Sequence, residues 1–131
     1  MASLIKLSLV AVLLTGCSLL SVSHFDANEQ AQLVTIVQMS QNKSLCEDVA
    51  KASSISSQIA HTTEWLRLYS QDIPNNGPMQ TMTKELDDSA REFRDRYTRL
   101  PVPARLYCEI KLNNINTMAN TMREVSARRP R

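Results

Sequence analysis

Chain-breaking residues are scarce in this sequence of 131 residues, which contains only two glycines and five prolines. A β-sandwich or barrel needs many turns, so this scarcity argues against both folds. It also excludes the glycine-rich loops that hold phosphate in dinucleotide-binding and P-loop proteins. The few breakers are Gly16, Gly77, Pro74, Pro78, Pro101, Pro103 and Pro130.

The chain also lacks an excess of charge of one sign. It has 15 Lys and Arg residues against 13 Asp and Glu residues, a formal net charge of +2. Nucleic-acid-binding proteins usually concentrate basic residues on one face, so we expect no nucleic-acid partner. The length leaves room for one small domain.

Residues in catalytic or metal-binding patterns are scarce as well. His61 and Glu64 have the i, i+3 spacing of di-metal helical bundles, but the chain has no second Glu/His pair to complete such a site. The other histidine, His24, precedes the first predicted helix, and neither Cys46 nor Cys108 has a histidine nearby in the sequence. We therefore expect no catalytic residues, no metal and no cofactor other than a covalent lipid, and a protein that is not an enzyme.

The N-terminal segment has the pattern of an export signal. One positive charge, Lys6, precedes the apolar run Leu7–Leu14, which is too short for a transmembrane helix of about 20 residues but fits the core of a signal peptide. The next residues complete the sequence Leu14-Thr15-Gly16-Cys17, which resembles the lipobox of bacterial lipoproteins at every position. In that family the cysteine thiol receives a diacylglycerol, the preceding peptide is removed, and the new amino group is acylated.

The resemblance implies a signal peptide over residues 1–16, lipidation at Cys17 and a tether over residues 17–25. Several acyl chains would attach the protein stably to a membrane. In this family an acidic residue after the cysteine retains the protein at the inner membrane, whereas this chain has Ser18. The resemblance thus implies the periplasmic face of the outer membrane in a Gram-negative host. The alternative is an uncleaved anchor extended through Val22, but its length of about 24 Å falls short of the hydrocarbon core.

The first half of the mature chain predicts two helices. Asp26 and Glu29 have the spacing of a capping box, which predicts a first helix over residues 27–41. Ser44 and Glu47 repeat the signature before a second helix over residues 45–69. The pattern also permits a single bent helix, since nothing between residues 42 and 44 forbids continuity.

The second half predicts two more helices. A turn over residues 72–78 precedes a third helix, from Pro78 to about Leu100, and Pro103 opens a fourth that ends near Ala127. The apolar surface of the fourth helix is unusually broad for one stripe. The third carries the i, i+4 pairs Asp87–Arg91, Glu92–Arg96 and Asp95–Arg99, which indicate a solvated face.

Together these elements predict an all-α protein: a small three- to four-helix bundle over residues 26–127 with one disulfide, preceded by the signal peptide. Residues 128–131 form a short basic tail that we expect to fray.

Two cysteines remain once Cys17 is acylated, an even number in an exported protein. Cys46 begins the second predicted helix and Cys108 lies early in the fourth. Consecutive antiparallel helices place these two starts at the same end of a bundle, which favours a disulfide between them. Two buried thiols or a pair of metal ligands are the alternatives.

Four methionines of the third and fourth helices form pairs at helical spacing: Met79 with Met82, and Met118 with Met122. Methionine is flexible and recurs on surfaces that accept helices, so these side chains are candidate partner contacts in a groove between the two helices. The alternative is that they fill the core of the bundle.

The mature region resembles the helical pilotins of type II secretion systems, which are small, lipidated and joined by a disulfide between well-separated positions. Cys46 and Cys108 would match that pair, and Leu106, Ile110 and Met118 lie in the region of the second cysteine. The resemblance implies a non-enzymatic assembly factor that binds an amphipathic helix of a partner protein in the periplasm or outer membrane. Two alternatives remain: a phage- or plasmid-type exclusion lipoprotein that blocks a receptor or entry channel, and a generic structural lipoprotein.

Overall fold

A computed structural model describes residues 23–131, and this part of the chain is all-α, as the sequence predicts. Its four helices are α1 (Ala27–Gln41), α2 (Val49–Gln71), α3 (Gly77–Arg96) and α4 (Arg105–Ala127), with a short 3₁₀ helix over Lys43–Glu47. The predicted signal peptide and Cys17 lie outside the described residues.

The helices form an antiparallel bundle in which α1 packs mainly on α4 and α2 mainly on α3. One apolar core runs between them, with Phe93 as its largest fully buried side chain. Because successive helices alternate in direction, the starts of α1 and α3 meet the ends of α2 and α4. We call this end, where Ser23 enters the bundle, the entry end, and the opposite end the disulfide end.

Helix α1 has the predicted boundaries because Asp26 caps it. The Asp26 carboxylate accepts a hydrogen bond from the backbone N–H of Glu29 at 2.8 Å. The predicted cap of the second helix is wrong. Asp48 has extended backbone and accepts from the Lys51 N–H at 3.0 Å, so α2 begins at Val49 and is separate from α1.

The turn between α3 and α4 is longer than the sequence predicts. Helix α3 ends at Arg96 and α4 begins at Arg105. A residue that precedes a proline is disfavoured in helical conformation, and Leu100 and Val102 both occupy such positions. The Arg96 guanidinium donates a hydrogen bond to the Pro101 carbonyl at 2.8 Å, which holds the turn against the end of α3.

The turn between α2 and α3 depends on two asparagines. Asn75 has a positive φ of 56°, a conformation that asparagine adopts more readily than most residues. Asn76 follows with a buried side chain, and Pro78 lies in the first turn of α3, as predicted.

Cys46 and Cys108 form a disulfide, with Cα atoms 5.6 Å apart, so the alternatives of buried thiols and metal ligands are excluded. Both cysteines are buried. Cys46 belongs to the 3₁₀ helix and not to the second helix itself. The bond therefore joins the segment between α1 and α2 to the first turn of α4.

The predicted solvated face of the third helix is wrong at Asp87, whose side chain is fully buried. Its carboxylate pairs with Arg67 at 2.9 Å and Arg91 at 3.3 Å, and accepts a hydrogen bond from the Thr63 hydroxyl. Asp87 thus joins α3 to α2. Glu92 pairs with Lys111 and Asp95 with Arg94, so within residues 23–131 neither carboxylate forms its predicted i, i+4 pair.

Replacement of both Cys46 and Cys108 by alanine should lower the free energy of unfolding by about 4 kcal/mol, because the bond closes a loop with a sequence separation of 62 residues. Urea denaturation of the oxidised protein and the double variant measures the difference. Equal midpoints would show that the loop constraint contributes nothing to stability.

Candidate functional site

The entry end is closed by a network of buried polar side chains around Glu29, which is fully buried. The Arg129 guanidinium donates to the Glu29 carboxylate at 2.8 Å and to the Asn76 side-chain oxygen at 2.6 Å. The Asn76 amide donates in turn to Glu29 at 3.2 Å and to the Ser70 hydroxyl at 2.8 Å. These bonds join the start of α1, the end of α2, the α2–α3 turn and the chain after α4.

The same network holds the two ends of the described chain. The Ser23 hydroxyl donates to Asn76 at 3.2 Å, and the Phe25 N–H donates to the Pro130 carbonyl at 2.8 Å. The expectation of a frayed tail is therefore wrong at Arg129 and Pro130. Ser23, three residues before the predicted start of the bundle, is also packed against it, because Asn76 offers a buried acceptor there.

Burial raises the pKa of Glu29 above its ordinary value of 4.5, while the positive charge of Arg129 and the hydrogen bond from Asn76 act in the opposite direction. Such a shifted carboxyl group is common in active sites, but ion pairs within a fold also produce it. Here the Glu29 carboxylate is occupied by contacts within the bundle. The group is therefore structural in this arrangement.

The disulfide end carries the two most exposed large apolar side chains of the described residues, with two further exposed ones in the same short stretch. Leu100 is 89% exposed and Leu106 is 64% exposed, and Val102 and Ile110 are also exposed. Leu106 and Ile110 are one helical turn apart and share a face of α4. We call Leu100, Val102, Leu106 and Ile110 the apolar tip.

The charged side chains beside the apolar tip are mostly paired with one another. Arg105 pairs with Glu109 at 2.7 Å and contacts Glu47 at 3.5 Å, and Lys111 pairs with Glu92 at 3.0 Å. Ion pairs therefore lie on both sides of the Leu106–Ile110 face.

The apolar tip was not predicted as a site from the sequence, although the broad apolar surface predicted for the fourth helix was a signal of it. The apolar surface of the fourth helix is broader than one stripe because it combines two faces. Cys108 and Leu112 lie on the core face, whereas Leu106 and Ile110 lie on the exposed face.

The four candidate methionines differ in exposure. Met79 and Met122 are each 1% exposed and belong to the core. Met82 and Met118 are half-buried and, together with Met122, line a surface cavity of about 240 Å³ between α3 and α4. The predicted groove corresponds to this cavity, and Met79 is not among the residues that line it.

The histidines and the acidic residue with metal-binding spacing lie on the surface of the described bundle. His61 and Glu64 are both exposed on α2, and His24 is exposed before α1. Among residues 23–131, no cluster of three or more His, Cys, Asp or Glu side chains could hold a metal ion, and no helix is long and apolar enough to cross a membrane.

No protein-family model, curated protein or solved structure matches this chain. A functional proposal therefore depends on the N-terminal motif and on the surfaces described above.

The methionines can be tested as two matched pairs. Glutamate at both Met79 and Met122 should destabilise the fold by several kcal/mol or unfold it, because each substitution buries a charge without a partner. Glutamate at both Met82 and Met118 should leave the protein folded, with thermal melting as the measurement. Equal destabilisation by the two pairs would show that Met82 and Met118 also belong to a closed core.

Proposed function

We propose that this protein is a lipoprotein of the outer membrane, anchored through acylated Cys17 on the periplasmic face, and that its helical bundle binds a partner protein as a non-enzymatic assembly factor. The lipobox Leu14–Cys17 and the following Ser18 support the anchor and its location. The pilotin resemblance of the mature region is consistent with the same function.

The observation that carries the proposal is the position of the apolar tip relative to the point where the chain enters the bundle. Ser23 is bound at the entry end, six residues after Cys17. Six residues span at most about 22 Å, so an acylated Cys17 would hold the entry end near the bilayer. The 23 residues of α4 extend about 35 Å towards the disulfide end. The apolar tip would then project into the periplasm, where a protein can reach it.

The interior of the bundle also favours binding over catalysis. Its buried carboxylates are both held in ion pairs, Glu29 with Arg129 of the chain after α4 and Asp87 with Arg67 of α2. Each ion pair stabilises a contact between elements of the fold. We therefore propose that the bundle presents surfaces to a partner.

The anchor is tested by replacing Cys17 with serine and labelling cells with radioactive palmitate. The variant should keep its signal peptide and incorporate no label, because the thiol that receives the lipid is gone. The matched control replaces Cys46 and Cys108 with alanine, which should leave labelling intact. Label that persists in the Cys17→Ser variant, or that disappears in the control, would contradict the proposal.

The location is tested in the same cells by replacing Ser18 with aspartate. The acylated variant should move towards the inner membrane on a density gradient, whereas Ser18→Ala should not. An unchanged distribution of the aspartate variant would remove the support that Ser18 gives to outer-membrane sorting.

A further inference from the structure

We infer that the apolar tip is a docking surface for one kind of partner segment, an amphipathic helix whose apolar stripe is flanked by acidic residues. The inference takes the orientation of the bundle and the existence of a protein partner from the proposed function. What it adds is the surface that binds and the chemistry of the segment that is bound.

The number of exposed apolar side chains in one short stretch distinguishes this surface from the rest of the described bundle, where Trp65 with Leu68, Val49 and Val125 are the other large apolar residues exposed. Isolated exposed apolar residues are ordinary, but several close together mark an interaction site or a liability for aggregation. Leu100, Val102, Leu106 and Ile110 lie within eleven consecutive residues, and each is more than 40% exposed. Val49 is exposed at the start of α2, which meets the same end of the bundle.

The apolar tip is also held rigidly from behind. Cys108 lies between Leu106 and Ile110 in the sequence but on the buried face of α4, where the disulfide ties it to the 3₁₀ helix. The hydrogen bond from Arg96 to Pro101 fixes the turn that carries Leu100 and Val102. A surface fixed before binding loses little conformational freedom when a partner docks, which favours affinity.

Charge indicates which segment the surface accepts. Arg96 and Arg99 both precede Leu100 closely in the chain, and within residues 23–131 neither forms an ion pair, although Arg94, Arg105 and Lys111 all do. Arg99 is exposed and Arg96 is half-buried. The charge that remains for a partner at this turn is therefore positive, and carboxylates at the edge of an apolar stripe would complement it.

Geometry favours a helix over the other occupants. The described residues contain no strand, so a partner cannot dock by adding a strand to a sheet edge, and the apolar side chains must provide the contact. Leu106 and Ile110 form a ridge one turn long on α4, and such ridges pack into the grooves of another helix. A bilayer is the less favoured occupant because the entry end, and not this end, follows the acylated residue.

The first experiment places a photo-crosslinking amino acid at Ile110 of the full-length chain in cells, and the crosslinked peptide is sequenced by mass spectrometry. The control position is Leu68 on α2, which has the same exposed fraction of 50%. We expect a protein adduct at position 110 and not at position 68, joined to an acidic amphipathic helix. Leu106→Ser should lower the yield at least tenfold, and Arg99→Glu at least fivefold.

Several outcomes would overturn the inference. One is an adduct with the wrong partner, either lipid or a second copy of this chain. Another is a crosslinked segment that is basic or lacks an apolar stripe. The last two are equal yields at positions 110 and 68, and no adduct at position 110 in cells whose chain is acylated and oxidised. Failure of the anchor appears separately as loss of palmitate labelling, so the two proposals can fail independently.

A second experiment measures binding with a defined probe. An 18-residue designed helix with a leucine stripe flanked by glutamates is labelled with fluorescein, and its anisotropy is followed against the purified full-length protein. A matched helix flanked by lysines should bind at least fivefold more weakly. Leu106→Ser should weaken binding of the acidic helix at least tenfold, and Leu68→Ser should leave it unchanged. Equal affinity for the two helices, or insensitivity to Leu106→Ser, would contradict the inference.

Discussion

Arg129 places a positive charge in a side chain only 9% exposed, and the fully buried carboxylate of Glu29 compensates it. Asn76 bonds to both partners and, through Ser70, to the end of α2. This one ion pair therefore connects the first helix, the α2–α3 turn and the chain after the last helix. Neither partner can be removed without leaving the other charge buried and uncompensated, which costs about 3–5 kcal/mol in comparable cases.

The two ends of the bundle are closed by different chemistry, and the difference bears on function. At the entry end the polar network binds the incoming and outgoing chain. At the other end a covalent bond between Cys46 and Cys108 holds the 3₁₀ helix and α4 together without using the outer face of α4. That face is free to carry Leu106 and Ile110 in an exposed position. The proposed anchor at one end and the apolar surface at the other would suit a protein that holds a partner near a membrane.

Local signals in the sequence predicted much of this fold. Asp26 stands at the right spacing before an apolar stripe, so both ends of α1 were correct, and the bundle topology brought Cys46 to Cys108. The errors came where an interaction joins distant residues. Arg129 lies 100 residues from Glu29, and Arg67 lies on a different helix from Asp87, so spacing along one helix could not reveal either pair.

For the candidate site residues too, local patterns predicted the helices correctly, whereas contacts between distant residues decided what the sequence could not. Periodicity placed the methionines on helices, but it could not decide which face meets the core. Met79 and Met122 therefore proved to be fully buried, while Met82 and Met118 are only half-buried. The apolar tip was hidden within a stripe that contained two faces. The two faces can be told apart only when the orientation of α4 is known, and the disulfide fixes that orientation by holding Cys108 on the buried face.

The stability of Arg129→Met relative to the wild-type protein, measured at pH 7 and at about pH 4.5, tests the polar closure of the entry end most directly. Without Arg129 the pKa of Glu29 should rise further above its ordinary value of 4.5, because only the effect of burial and weaker contacts remain. The folded variant then holds its proton more tightly than the unfolded chain. The stability that this proton confers on the variant is fully present below the pKa of Glu29 in the unfolded chain. It is lost as the pH rises through the pKa of Glu29 in the folded variant.

We predict a loss of about 3–5 kcal/mol at pH 7 that shrinks markedly in acid. The exposed neighbour provides the control, since Arg128→Met should change stability by no more than about 0.5 kcal/mol at either pH. A loss for Arg129→Met as small as that of Arg128→Met, and equal at both pH values, would contradict the account, because it would mean that the chain after α4 is frayed and the ion pair does not hold the entry end.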